Sequence, residues 1–154
     1  MLTQHNYAKK LLRAHNLHNA HAIITPMDPG TKYTRLGEGI PTDPTKYRKL
    51  VGGLLFLTIT RPDIAFAVNV LSRFVDKPDI SHMRLGKRVL CYVAGNPKLG
   101  LMYYSYPRIE LLAYADSDWG GTIEDRKSIT SNLVLFNGTA IMWSAKKQYV
   151  VALS

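Results

Sequence analysis

Between Tyr47 and Phe74 the chain is dominated by apolar residues, and a short polar break, Arg61-Pro62-Asp63, divides the stretch into two helix-sized halves. In the first half Leu50, Leu54 and Leu57 recur at helical spacing, and Phe56 and Ile59 widen the stripe until most of the surface is expected to be buried. Asp43 ahead of Pro44 offers a side-chain acceptor for unpaired N–H groups and a φ preset for a first helical position. A helix is therefore predicted from there to about Thr60. Pro62 disfavours helix at Arg61 and opens a second helix, whose Ile64, Ala67, Val68 and Leu71 form the buried side.

Amphipathic helices are also predicted on either side of this pair. Thr3 to Leu17 reads as an amphipathic helix capped by Thr3, with Tyr7, Leu11 and Leu12 on one side and Lys9, Lys10 and Arg13 on the other. Residues 28 to 41, rich in Gly and Pro, read as a linker, and Gly37-Glu38-Gly39 lacks the strand and third glycine of a nucleotide-binding turn. After Phe74, Ser81 is expected to cap a further helix running to about Val93, with Leu85, Val89, Leu90 and Val93 inward and Gly95-Asn96-Pro97 as its stop. Arg84, Lys87 and Arg88, at steps of three and four, share one basic face. Gly86 costs that helix about 1 kcal/mol relative to alanine.

From Leu99 the period changes to two. Leu101 to Ser105, Glu110 to Asp118, Ile129 to Phe136 and Thr139 to Ala145 read as strands, the last two joined by an Asn137-Gly138 hairpin. Leu112, Tyr114, Asp116 and Asp118 fall on one face. The expected fold is α+β: a helix and linker over residues 1–42, a helical region over 43–97, and an antiparallel meander over 98–154.

Composition narrows the picture further. At 154 residues and 46% hydrophobic, the chain can bury one ordinary core or two small ones. It has no apolar run of membrane-spanning length, and Met1-Leu2-Thr3-Gln4-His5 lacks the regions of a signal peptide, so a soluble intracellular protein is expected. The lone Cys91, among Val89, Leu90, Tyr92 and Val93, reads as a small core residue. His15, His18 and His21 fan around a helix with no cysteine or carboxylate beside them, which argues against a metal site. The net charge of +9 is uneven: residues 1–108 carry sixteen Lys and Arg against six Asp and Glu, and residues 109–154 four against five. Such a basic block fits either a solvated surface or a polyphosphate partner.

Tyr47 to Phe74, read as Y-R-x-L-V-G-x-L-L-x-L-T-x-T-R-P-D-I-A-F-A-V-x-x-L-S-R-F, closely resembles the copia-type LTR retrotransposon Pol polyprotein, in the region between reverse transcriptase and ribonuclease H. Thr3-Gln4 with Tyr7-Ala8 and Leu11-Leu12 resembles that family's S/T-Q-x-x-Y-A-x-x-L-L, in the thumb-like part that holds primer and template. The resemblance implies that Lys9, Lys10 and Arg13 face the phosphates of an RNA–DNA hybrid. Gly86 to Gly95 resembles A-K-R-V-L-R-Y-L-K-G, which implies the same of Arg84, Lys87 and Arg88, although Cys91 and Ala94 replace basic residues. Ala20-His21-Ala22, before Thr25-Pro26-Met27, departs from the family's Cys-Lys-Pro.

Tyr114 to Gly121 resembles the ribonuclease H opening Y-x-D-A/S-D-W-A/G-G, and Trp143 to Gln148 resembles W-S-S-K-K-Q. This implies that Asp116 is a remnant catalytic residue and the first metal-binding carboxylate for two Mg²⁺ ions; Asp118 is either a second ligand or a strand-ending polar residue. The family's second ligand lies in S-T-E-A-E-Y beyond V-A-L-S, and its polymerase Y-x-D-D lies upstream of residue 1. Ile129, Ser131 and Asn132 also replace the usual threonine, glycine and tyrosine. The expectation is a drifted fragment of a reverse transcriptase and ribonuclease H polyprotein, inactive alone, binding nucleic acid weakly and able to self-associate through an open sheet edge. The alternatives are a non-catalytic basic nucleic-acid-binding module and a functionless relic.

Overall fold

The computed structural model describes residues 1–28, 39–105, 107–118 and 129–147, with side chains at all of these except 117, 118, 129 and 147. Its elements are α1 (His5–Ala14), α2 (Pro44–Leu57), a 3₁₀ turn (Pro62–Ile64) leading into α3 (Ala65–Ser72), α4 (Ile80–Gly95), β1 (Leu111–Asp118), β2 (Ile129–Phe136) and β3 (Thr139–Lys147). The chain is α+β. It divides into a helical unit, Leu2–Gly100, and a sheet unit made of Leu101–Ser154 with Met1. No described helix is long and apolar enough to cross a membrane.

One core joins the four helices. Leu11 and Leu12 from α1, Tyr47, Leu50, Leu54 and Leu57 from α2, Val68 and Leu71 from α3, and Leu85, Val89, Leu90 and Val93 from α4 are all buried together with Phe74. The predicted Asp43 cap is present, its Oδ1 accepting from the backbone N–H of Thr45 at 2.8 Å and of Lys46 at 3.3 Å. α2 ends at Leu57, and Thr58 to Thr60 form a turn. Phe56 and Ile59 do not extend the buried stripe: they are 49% and 56% exposed, because among the described residues α2 buries the face of Tyr47, Leu50, Leu54 and Leu57.

Two caps differ from the sequence reading. α1 starts at His5 and ends at Ala14, and Thr3 does not cap it; the Thr3 hydroxyl donates to the Lys98 carbonyl at 3.2 Å. The adjacent Gln4 donates through Nε2 to the Phe56 carbonyl at 3.0 Å, satisfying an acceptor at the end of α2, and accepts from the Thr60 hydroxyl at 2.8 Å. At α4 the cap is Asp79 rather than Ser81. Asp79 Oδ1 accepts from the His82 N–H at 3.0 Å and the Ser81 hydroxyl at 2.6 Å, while His82 Nδ1 accepts from the Asp79 N–H at 3.1 Å. This is a capping box with histidine in the place usually held by Glu or Gln. Burial alone would raise the Asp79 carboxyl; the bonds from Ser81 and His82 outweigh it and hold it below the ordinary range. His82 is itself buried, stacked on Phe74 at 3.8 Å between ring centroids.

The Arg61-Pro62-Asp63 break is a buried polar joint. Arg61 is 2% exposed. Its Nε and Nη2 donate to the Asp63 carboxylate at 2.8 to 3.1 Å, its Nη1 donates to the Asn96 carbonyl at the end of α4 at 3.0 Å, and its guanidinium lies 5.6 Å from the Tyr92 ring centroid. Toward the other end of α2, Tyr47 donates its hydroxyl to the Leu71 carbonyl at 2.8 Å, and burial first, then the Asp79 carboxylate, push that hydroxyl far above its ordinary value.

Glycines set the helix approach distances. A Cβ on Gly53 would stand 2.6 Å from Leu11 Cδ1, and one on Gly86 would stand 2.5 Å from Leu50 Cδ2. Gly86 is thus the socket for Leu50, a packing role that its helix propensity does not reveal. Gly52 is different, exposed and with nothing within 4 Å of its would-be Cβ. Gly52→Ala is expected to stabilise the helical unit by about 0.5–1 kcal/mol through the restricted unfolded chain alone, read as a higher midpoint in urea.

In the sheet unit the strand order is β1-β2-β3, antiparallel throughout. Asn137 (φ 47°) and Gly138 (φ 75°) form the tight hairpin turn, where both central residues need positive φ. A register shift between Val134 and Leu135 leaves Ile141 as the extra residue of β3. The expected strand Leu101 to Ser105 is not formed; instead the Thr139 hydroxyl donates to the Met102 carbonyl and the Tyr103 hydroxyl donates to the Ala140 carbonyl at 3.0 Å, so side-chain bonds replace a ladder. Cys91 is half-buried on α4 and stays outside the core cluster.

Candidate nucleic-acid interface

The cations singled out in the sequence lie on α1 and α4, and these two helices run antiparallel. The start of α1 meets the end of α4, where His5 Nδ1 is 3.1 Å from the Pro97 carbonyl. Beyond the other end of α1, burial first and the nearby Lys87 ammonium second lower the His15 imidazole below its ordinary value, which places Lys87 beside that end. Since Ala8, Leu11 and Leu12 point inward on α1, Lys9, Lys10 and Arg13 take the opposite face and are exposed. On α4 the same geometry turns Arg84 and Lys87 outward, and both are exposed. Among the described residues no carboxylate forms an ion pair with any of these five.

Arg88 has a different situation. Its Nη2 lies 2.7 Å from Asp28 Oδ1 and donates to the Thr25 hydroxyl at 3.0 Å, and its Nε is buried with no hydrogen-bond partner among the described residues. The guanidinium therefore fastens the 25–28 segment to α4. Further along, Ala22 approaches Gly95 so closely that a Cβ there would stand 3.0 Å from Ala22 Cβ. Thr25-Pro26-Met27 thus acts as a strap along α4, with Met27 packed against the core. Sequence periodicity put Arg88 with Arg84 and Lys87; only the return of residues 22–28 across α4 sets it apart.

Asp116 is exposed on β1, paired across the sheet with Ser131, which is in turn paired with Ala145. Neither neighbour is a carboxylate. Asp118 is the last residue of β1, opposite Ile129, and its side chain lies outside the described residues, as do Trp119 to Gly121 and Gln148 of the two motifs. Among the described residues no group of three or more His, Cys, Asp or Glu could hold a metal. The described residues therefore do not make up a two-Mg²⁺ site, whose charge balance needs several carboxylates around the ion pair. The histidines at 15, 18 and 21 likewise form no such group.

No family model matches the chain, and no solved structure matches it significantly. Curated relatives do. The retrovirus-related Pol polyproteins from transposons RE1 and RE2 of Arabidopsis thaliana are each 40% identical to it over 147 and 148 residues, 96% of this chain and 10% of each polyprotein. The corresponding polyprotein from transposon TNT 1-94 of Nicotiana tabacum is 36% identical over 160 aligned residues, 99% of this chain and 12% of its own length. The chain spans about a tenth of the length of these relatives. With that similarity running through both the helical unit and the sheet unit, the chain belongs to the retrovirus-related Pol polyproteins of copia-type retrotransposons.

Proposed function

We propose that this chain is the Pol segment that joins reverse transcriptase to ribonuclease H. The helical unit lies against an RNA–DNA hybrid, and the sheet unit supplies the opening strands of a ribonuclease H-like domain. The observation that carries this reading is the set of outward cations on antiparallel α1 and α4, namely Lys9, Lys10, Arg13, Arg84 and Lys87, which no described carboxylate neutralises. Asp116 on β1 agrees with it, in the place that the ribonuclease H resemblance gives to a metal-binding aspartate. The polyprotein would supply RNA-directed DNA synthesis and Mg²⁺-dependent RNA-strand hydrolysis, and the segment alone would bind without cleaving. The exposed edge of β1 would favour self-association of the isolated segment.

The test is a salt titration with a fluorescent hybrid. Each neutralised phosphate contributes about −0.9 to the slope of log K against log salt for B-DNA, and a comparable value is expected for a hybrid. Replacing Lys9, Lys10 and Arg13 by alanine should flatten the slope by about two to three. Replacing Arg88 should change it little, because Asp28 and Thr25 already hold that side chain. Absence of binding at low salt would overturn the proposal and favour a relic. Equal affinity for hybrid, duplex DNA and single strands would favour a non-catalytic basic module.

A further inference from the structure

The outward face of α2 is used neither by the core nor by the basic faces just described. Following it along the helix at three- and four-residue steps gives Arg48 and Lys49, then Gly52, then Leu55 and Phe56, with Ile59 next to them in the turn that follows α2. All six are exposed, with Leu55 at 47% and Ile59 at 56%. The opposite face carries Tyr47, Leu50, Val51, Leu54 and Leu57 into the core, so α2 is apolar on both sides along its second half. A helix apolar all round belongs in a buried position. Phe56 is steadied by an edge-on contact with Tyr7, 4.7 Å between ring centroids, which fixes a projecting aromatic ring. Gly52, one turn earlier, leaves the ridge free of any side chain there.

The first half of the same ridge is cationic. Arg48 donates through Nε to the Val75 carbonyl at 3.1 Å, which positions its guanidinium, and neither Arg48 nor Lys49 forms an ion pair among the described residues. The positive end of the α2 dipole adds to this field. We propose that the outward face of α2 is a docking surface for an amphipathic helix whose apolar stripe lies on Gly52, Leu55, Phe56 and Ile59 and whose one end is acidic and meets Arg48 and Lys49. Charge complementarity selects this occupant over a second copy of α2, which brings no carboxylate to the ridge. This surface is separate from the α1 and α4 faces that carry Lys9, Lys10, Arg13, Arg84 and Lys87.

The test uses two synthetic 18-residue helical peptides with the same leucine stripe, one carrying three glutamates at one end and the other three lysines there. Fluorescence anisotropy with the full chain should show the glutamate peptide binding at least tenfold more tightly, with the difference shrinking in high salt. Phe56→Asp or Ile59→Asp should each abolish binding without shifting the thermal melt by more than a few degrees, since both side chains lie outside the core. Lys49→Glu, which sets a carboxylate against the remaining Arg48, should remove most of the preference, and an unchanged preference would overturn the proposal. Equal binding of both peptides, or unchanged binding by both aspartate variants, would overturn the proposal. So would two other results sensitive to Phe56→Asp: dimerisation of the chain alone in sedimentation, which makes a second copy the occupant, or partition onto phosphatidylserine vesicles without peptide discrimination.

Discussion

Asp63→Ala is expected to destabilise the helical unit by about 3–5 kcal/mol, read as a shift of the far-ultraviolet urea transition. The cause is the Arg61 guanidinium, which stays buried when its carboxylate partner is removed. The Asn96 carbonyl and the Tyr92 ring remain, but neither carries a charge to oppose it. An exposed ion pair is worth at most about 1 kcal/mol, so the measurement separates a buried joint from surface decoration. The double variant Arg61→Met, Asp63→Ala is expected to lie nearer the parent than Asp63→Ala does, because apolar replacement of a whole buried pair is often close to neutral. Tyr92 gives an independent readout. Burial first and the Asp63 carboxylate second hold its hydroxyl above the ordinary value, so Asp63→Ala should lower its titration midpoint. A loss under about 1 kcal/mol with an unmoved Tyr92 would contradict the buried joint.

A comparably large effect is expected where Leu50 fits Gly86. Leu50 is fully buried, and Leu50→Ala should cost about 2–5 kcal/mol through lost transfer energy and the cavity left behind. Gly86→Ala sets two effects against each other. Helix propensity favours alanine by about 1 kcal/mol, whereas a Cβ placed 2.5 Å from Leu50 Cδ2 overpacks the joint at a cost of about 1–3 kcal/mol. Because Leu50 has no free side toward which to turn, the clash is expected to win and the variant to be less stable. In the double variant the new methyl occupies part of the cavity, so the two losses should fall short of adding by about 0.5–3 kcal/mol. Strict additivity would mean that the two residues do not share a packing site.

Family membership has a structural counterpart in these joints. Leu50, Arg61, Asp63 and Tyr92 all lie in the stretches whose residues carry the resemblance, and the structure gives each a place in the packing or the buried joint. For Arg61 and Asp63 that place is internal, so their specificity reflects the assembly of the helical unit rather than contact with a substrate. The cations of α1 and α4 are the converse case, since nothing among the described residues holds Lys9, Lys10, Arg13, Arg84 or Lys87 by an ion pair.

Local chemistry alone determined the helical order, the inward residues of α3 and α4, the Asp43 cap, the Gly95-Asn96 stop and the Asn137-Gly138 hairpin, because each follows from backbone geometry within a few residues. Tertiary structure decided the rest. Thr3 and Ser81 are both competent caps in isolation, yet Thr3 is drawn to the end of α4, and Asp79 caps α4 in a reciprocal pair with His82. Phe56 and Ile59 have the spacing of core residues, but among the described residues it is the opposite face of α2 that is buried. Arg88 has the spacing of a phosphate ligand, but the returning strap of residues 25–28 engages it. Gly86 reads as a helix weakness until Leu50 is seen to fill it. For Phe56, Ile59 and Arg88 periodicity fixed which residues share a face, and only the placement of distant segments fixed whether that face met protein or water.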